Sequence, residues 1–221
     1  LARWCERTKV LLLSPTRLCY NVLGDIMERI EQQMQFILEI DKEKQIKRKT
    51  LQSNGKDFED DAQHAWHMAI MTLLLSEYAN EKIDVLKTIS MLLIHDLVEI
   101  DAGDTYAYDD QGLKTQSERE NLAANRIFNL LPEDQAKKVF DLWNEFEERK
   151  TPEAKFARVM DNFQPVMLNA ATDGRMWVEN DVHLDKILKR NERTHEGSEV
   201  LWKYMYEHFI LPNVEKRRIK K

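Results

Sequence analysis

His64, the adjacent pair His95-Asp96, and Asp161 are the residues of this chain whose types and spacing best suit chemistry. A divalent cation needs several lone-pair donors converging on one point. Imidazole nitrogen together with carboxylate oxygen suits Mn, Fe, Co, Ni or Zn better than Ca or Mg alone. Helical periodicity puts His64 on one helix, His95-Asp96 at the end of a second and Asp161 on a third. Each helix can then present its side chain to a shared cleft, as helix bundles do. Every member also has an ordinary reading as a surface or satisfied core residue, and an adjacent His-Asp pair arises often by chance. Context points further. The pair ends an apolar run, Ile89 to Ile94 interrupted only by Ser90, where ionised groups are costly unless paired or bound to metal. Glu99 and Asp104 follow within a few residues. On chemistry alone, a metal site and a set of unremarkable helix residues both remain open.

The elements that must carry these residues read as helices. From Val22 to about Lys49, Ile26, Ile30, Met34, Ile37 and Ile40 recur at three- and four-residue steps, which predicts one amphipathic helix. Gln52 to Asp57 reads as a turn. A helix is expected from Asp60 or Asp61 to Asn80, with Met68, Met71, Leu74, Leu75 and Tyr78 as its apolar stripe. Another follows from Val85 to about Ile100, with Asp84 as its N-cap. Its near-continuous apolar run places it at the centre of a bundle. Ala102 to Thr105 ends that helix, and the stretch to about Thr115 reads as loop. Further helices are predicted over Ser117–Leu130, Pro132–Arg149, Pro152–Ala171 and roughly Leu184–Phe209. Pro132 and Pro152 suit first helical positions, and Thr151 suits an N-cap. No strand alternation of useful length and no Gly-rich phosphate loop are found. The fold class is all-α, a single-domain bundle over residues 22–212. Residues 1–21 are expected to stand outside it, and 213–221 to form a basic, solvated tail.

The bulk composition agrees. The chain has 221 residues, 43% hydrophobic and 33% charged, which suits one soluble globular domain. A net charge of -6 argues against a nucleic-acid polymer or a polybasic membrane anchor as partner, but not against a small anionic substrate held by a metal and a few cationic side chains. Two cysteines, Cys5 and Cys19, form no disulfide framework and suit free thiols in a reducing cytoplasm. No apolar run reaches the roughly 18 residues of a membrane span.

The segments Gln63-His64-Ala65-Trp66-His67, Leu93-Ile94-His95-Asp96-Leu97-Val98-Glu99 and Ala102-Gly103-Asp104-Thr105 resemble the HD-domain superfamily, and within it the 5′-deoxynucleotidase-like branch. The resemblance covers roughly residues 25–210 and extends to Asp161 in Arg158-Val159-Met160-Asp161-Asn162. It implies that His64, His95, Asp96 and Asp161 hold a divalent transition metal. It implies that Glu99 orients or deprotonates the attacking water, or shuttles a proton, and that Asp104 acts near the leaving-group oxygen or the sugar. Arg48, which matches the branch's substrate-binding arginine loosely, would hold phosphate by charge-assisted hydrogen bonds. Without the resemblance, Glu99 reads as a helix-end carboxylate, Asp104 as a loop or capping residue and Arg48 as part of a basic helical run. Two departures stand out: Gln63 and Ala65 replace the branch's usual Glu and Ser. His67 competes with His64 as a ligand, and a supporting or packing role is preferred because the resemblance selects His64. The implied reaction is hydrolysis of a nucleoside 5′-monophosphate, with homodimerisation expected. Phosphodiester or triphosphate hydrolysis and a non-catalytic nucleotide-binding module are the alternatives.

Overall fold

The computed structural model describes residues 15–109 and 111–221, with side chains from Gly24 onward. The expectations for Cys5, Cys19 and most of the 1–21 segment fall on residues or side chains outside that description. Helix α1 runs over Pro15–Ile40, so helical structure begins inside the segment expected to stand apart. A 3-10 turn, Asp41–Gln45, then leads into a strand, β1, Lys47–Leu51. This strand pairs antiparallel with β2, Phe58–Asp60. The expected helix to Lys49 is therefore corrected. Lys47 and Lys49 are exposed while Arg48 between them is half-buried, the period of two that a strand imposes. That period turns Arg48 inward and sends its basic neighbours to solvent.

Helix α2, Asp61–Leu75, opens on a reciprocal cap. The Gln63 N–H donates to the Asp60 carboxylate at 2.9 Å, and Gln63 Oε1 accepts from the Asp60 N–H at 3.1 Å. Gln63 thus holds the helix start that carries His64. Helix α3, Val85–Ile94, is capped by Asp84, which accepts from the Lys87 N–H at 3.0 Å. It does not continue to Ile100. The chain tightens into a 3-10 turn, His95–Val98, before the short helix α4, Glu99–Ala102. Met91 and Leu92 pack in one apolar cluster, Leu97 and Val98 in another, so the tightened turn carries the chain from the first to the second. His95 and Asp96 sit at that junction.

Helices α5, Leu113–Phe128, and α6, Glu133–Glu148, form the second cluster around Phe128 and Trp143. Pro132 is the N-cap of α6 rather than its first residue. Helix α7, Pro152–Ala171, has the expected Thr151 cap and buries most of its circumference, including Val159, Met160 and Phe163. It is the axis of the larger cluster, with Met68, Met91, Trp177 and Met205 around it. The last third of the chain is not one helical stretch but short helices: α8, Arg175–Glu179; α9, Leu184–Arg190; α10, Thr194–Gly197; α11, Glu199–Met205; a π turn, Tyr206–Ile210; and α12, Leu211–Glu215. The turn at Gly197 lies against α7 so closely that a Cβ there would sit 2.5 Å from the Lys155 carbonyl oxygen.

Two further expectations are corrected. The basic tail is docked, not solvated: Ile219 is 1% exposed, the Leu184 N–H donates to the Lys220 carbonyl, and Arg218 pairs with Asp173. The α1 stripe of Ile26, Ile30, Met34 and Ile37 is 41–51% exposed, and Leu74 is 68% exposed. Among the described α1 side chains, Phe36, off that stripe, is buried in the second cluster, and Ile40 packs half-buried against it. The class remains all-α apart from one hairpin. No helix among the described residues is long and apolar enough to cross a membrane.

Candidate metal centre

His64 from α2, His95 and Asp96 from the 3-10 turn and Asp161 from α7 meet in the interior, each less than a tenth exposed. One donor atom each of His64, His95 and Asp96 lies within 4.8 Å of the others. Asp161 joins through Oδ1, 3.3 Å from His64 Nε2 and 3.8 Å from His95 Nε2. Pro165, four residues on, has no N–H to give the Asp161 carbonyl, so the helix ladder is interrupted at this residue.

The hydrogen bonds behind the imidazoles fix which nitrogen faces the cluster. His95 Nδ1–H donates to the Leu92 carbonyl at 3.0 Å, since a carbonyl only accepts. His64 Nδ1–H donates to Gln164 Oε1 at 3.0 Å. Gln164 cannot be reversed, because its Nε2 donates to Glu59 Oε1 at 2.6 Å and lies 3.2 Å from His67 Nδ1. His67 thus supports Gln164 from behind and does not face the cluster. Both Nε2 atoms present lone pairs to carboxylate oxygens, and buried His95 Nε2 has no well-directed partner although Asp96 Oδ1 is 3.0 Å away. Lone pairs converging on lone pairs repel unless a positive charge stands among them. Without a metal, a proton takes that place. Burial opposes it, but the charges of Asp96 and Asp161 push His95 up to about 10. Burial and then Arg48 push His64 down to about 4. The donor set therefore fits a divalent cation.

The second oxygens of the carboxylates are held by arginines. Asp161 Oδ2 accepts from Arg158 at 2.8 Å and Arg190 at 3.3 Å. The Arg158 guanidinium lies 4.3 Å over the Phe146 ring, whose other contact is the His95 ring in an edge-on arrangement. Arg48 reaches across from β1: one Nη donates to Asp96 at 2.8 Å and to Asp61 at 2.9 Å. Burial disfavours its charge, but Asp96, Glu99 and Asp61 keep it firmly protonated.

Beyond Arg48 lies a cluster of buried carboxyl groups. Asp61, Asp96 and Glu99 also converge within 4.8 Å. Asp61 Oδ2 and Glu99 Oε2 are buried, and neither has a hydrogen-bond partner. Burial and then Asp96 push Asp61 to about 7 and Glu99 well above the carboxylate range. Asp104 is also raised, by burial first. Its orientation depends on Gly103, which ends α4 at φ 74, a conformation that glycine adopts without strain. Arg119 clamps the loop, donating to the Ala102 carbonyl and, at 2.7 Å, to Thr105. Arg48, His95, Asp96, Glu99, Asp104 and Asp161 all line one cavity of about 320 Å³, and fully buried His64 is not among the lining residues.

Sequence reasoning missed Glu43, Glu59, Asp61, Arg158, Gln164 and Arg190. Arg158 and Gln164 flank Asp161 at minus three and plus three on one helix, a signal available in the spacing. Glu43 is buried with Oε1 unpaired, and burial, then Asp96 and Asp61, push it to about 8. The folded chain then keeps a proton that the unfolded chain releases near 4.5. Stability falls by about 1.4 kcal/mol per pH unit as pH rises between those values. Glutamine cannot ionise, so Glu43→Gln should unfold at a higher temperature than the wild type at about pH 9 and at nearly the same temperature at about pH 4.5. Thermal unfolding in chelator checks this; an equal difference at both pH values would exclude the ionisation account.

Comparison with known proteins gives a consistent picture. A family model described as HD domain matches residues 40–202. Human 5′-deoxynucleotidase HDDC2 is 29% identical over 104 residues, 47% of this chain and 50% of the relative. The protein of the same name from Dictyostelium discoideum is 32% identical over 130 residues, 56% of this chain and 68% of the relative. The chain thus spans about half the length of the first curated relatives it matches. A crystal structure from Magnetospirillum magnetotacticum, described as a predicted metal-dependent phosphohydrolase, is 41% identical. It superimposes with a TM-score of 0.83 over 88% of this chain and 97% of that one.

Proposed function

Because the chain belongs to the HD-domain family, we propose that it is a metal-dependent phosphohydrolase that converts a nucleoside 5′-monophosphate into nucleoside and phosphate. The observation that carries this reading is the inward lone-pair arrangement of His64 and His95 beside Asp96 and Asp161. The 5′-deoxynucleotidase relatives supply the substrate class. A divalent cation held by these four residues would supply charge for the phosphate and a more acidic water. Arg48 lines the same cavity and offers phosphate a charge-assisted donor. Glu99 orients the attacking water or moves a proton, and Asp104 works at the leaving sugar oxygen. Arg158 and Arg190 hold Asp161 in place, and positioning of this kind supplies much of the acceleration in phosphoryl transfer.

In this reading the chain acts in the cytoplasm on a small molecule, with no nucleic-acid polymer or membrane as partner. It works as a homodimer whose second copy covers the exposed apolar stripe of α1 and Leu74 of α2. Light scattering on the eluting protein reads that state, and a monomer at working concentration would remove it from the proposal.

The decisive experiment is phosphate release from the purified protein, screened across divalent metals and across a deoxynucleoside monophosphate, a triphosphate and a cyclic nucleotide. Release from the monophosphate, lost in chelator and restored by one of the transition metals, is expected. Turnover confined to the triphosphate or the cyclic nucleotide would redirect the assignment. The orientation of His64 adds a prediction of its own. Gln164→Leu removes the acceptor that keeps the His64 lone pair inward, so metal affinity should fall by about 10–100-fold. Competition with a chelating dye measures this, and unchanged affinity would show that Gln164 serves packing alone.

A further inference from the structure

Helix α7 carries Asn162 and Asn169 two turns apart, and both line the cavity. Their amide nitrogens are committed. Asn169 Nδ2 donates to the Pro165 carbonyl at 2.8 Å, and a carbonyl only accepts, so this amide cannot be reversed. Asn162 Nδ2 donates to Thr194 Oγ1 at 3.1 Å, the Thr194 hydroxyl donates to Asn191 Oδ1 at 3.3 Å, and Asn191 Nδ2 donates to the Ile187 carbonyl at 2.9 Å. That relay ends on a main-chain carbonyl, which sets its direction along its whole length. Both amide oxygens are therefore left over. They are buried, in residues 5% and 9% exposed, and neither has a partner. Folded chains leave few buried acceptors unpaired, and a cavity wall is where a ligand completes them.

We propose that these two oxygens read the organic half of the substrate: Asn162 accepts from a sugar hydroxyl, and Asn169 accepts from an N–H of a planar base. The inference rests on the phosphomonoesterase reading and names what its cavity selects. Asn162 follows Asp161 directly and so stands at the metal end. Seven residues of helix place Asn169 about 10 Å further along. A pentose with a base attached covers that span, and a pentose alone does not. At the far end Val166, Met176 and Trp177 line the cavity beside Asn169, an apolar wall suited to a flat ring. Neither oxygen suits phosphate, whose place is with the cation and Arg48.

The test compares kcat/KM for 2′-deoxyadenosine 5′-monophosphate with that for 2-deoxyribose 5-phosphate, in wild type, Asn169→Leu and Asn162→Leu. Asn169→Leu should lower the nucleotide-to-sugar-phosphate ratio about tenfold, the worth of one buried hydrogen bond, chiefly through KM for the nucleotide. Asn162→Leu should reduce both substrates and leave the ratio within about threefold. A ratio unchanged in Asn169→Leu overturns the assignment, as does an equal loss on both substrates. Asn169→Ala, with its melting temperature recorded, repeats the measurement should leucine disturb the fold. If wild type releases phosphate from neither compound, the hydrolase reading fails by itself. The subsite is then judged by titrating 2′-deoxyadenosine into metal-loaded protein: binding weakened about tenfold in Asn169→Leu supports it, and no binding to wild type overturns it.

Discussion

Replacing His95 by alanine is expected to reduce turnover by about three orders of magnitude or more, equivalent to about 4 kcal/mol at the transition state, and to strip the metal from the purified protein. His95 has two neighbours that make the loss specific. Its Nδ1 is spent on the Leu92 carbonyl, so the ring contributes only its Nε2 lone pair to the cluster. Its edge rests on Phe146, which is hydrophobic and offers no replacement donor. Alanine therefore removes a ligand and leaves a gap that no other side chain fills. The fold should survive. Asp96 keeps Arg48 at 2.8 Å and Asp161 keeps Arg158 at 2.8 Å, so neither carboxylate is left without a compensating charge. Asp96→Ala should lose metal and turnover to a similar degree, but it also leaves Arg48 with Asp61 alone, so its melting temperature should drop further than that of His95→Ala. Metal content by elemental analysis, phosphate release and far-ultraviolet circular dichroism read the three consequences separately. Full metal occupancy in His95→Ala with unchanged turnover would place the centre elsewhere.

How far the amino-acid sequence leads to this site depends on the kind of signal. Helix α7 was legible at both ends because Thr151-Pro152 is a strong local start and the apolar pattern runs unbroken to Ala171. The start of α2 was legible from its acids, and Gln63, a departure from the HD pattern, proves to be half of its cap. The turn at His95 was not legible. Ile89 to Val98 is apolar enough to read as one helix, and only the existence of two separate apolar clusters explains the change of pitch between Ile94 and Val98. Lys47-Arg48-Lys49 failed for a related reason. A basic run extends a helical pattern as readily as it forms a strand, and pairing with Phe58–Asp60, a contact at long range, decides between them. The α1 stripe had the right period but the wrong destination, since periodicity reports a face and not what covers it. Asp61 and Glu59 were hidden by their position. Acids at a helix start satisfy the dipole and call for no further explanation, yet here they lie buried against Arg48 and Gln164.

Glu99→Gln is expected to lower turnover by about 10²–10⁴-fold while metal stays bound. Glutamine matches the size of the protonated acid, so the packing of Asp61, Arg48 and Asp96 should hold. What it cannot do is give up or take a proton. Glu99 is 6% exposed, so water does not readily replace that function. The leaving group then reveals where the proton goes. A sugar alkoxide is a poor leaving group and needs protonation as the bond breaks; p-nitrophenolate does not. If Glu99 serves the leaving oxygen, Glu99→Gln should lose far less on p-nitrophenyl phosphate than on a deoxynucleoside monophosphate. If it serves the attacking water, the two losses should match. Asp104→Asn, measured on the same pair, should then show the opposite pattern when the two carboxyls divide the two sides of the phosphorus between them. Equal losses for both variants on both substrates, with metal retained, would mean that neither carboxyl transfers the proton and that both act by holding the charge balance around Arg48.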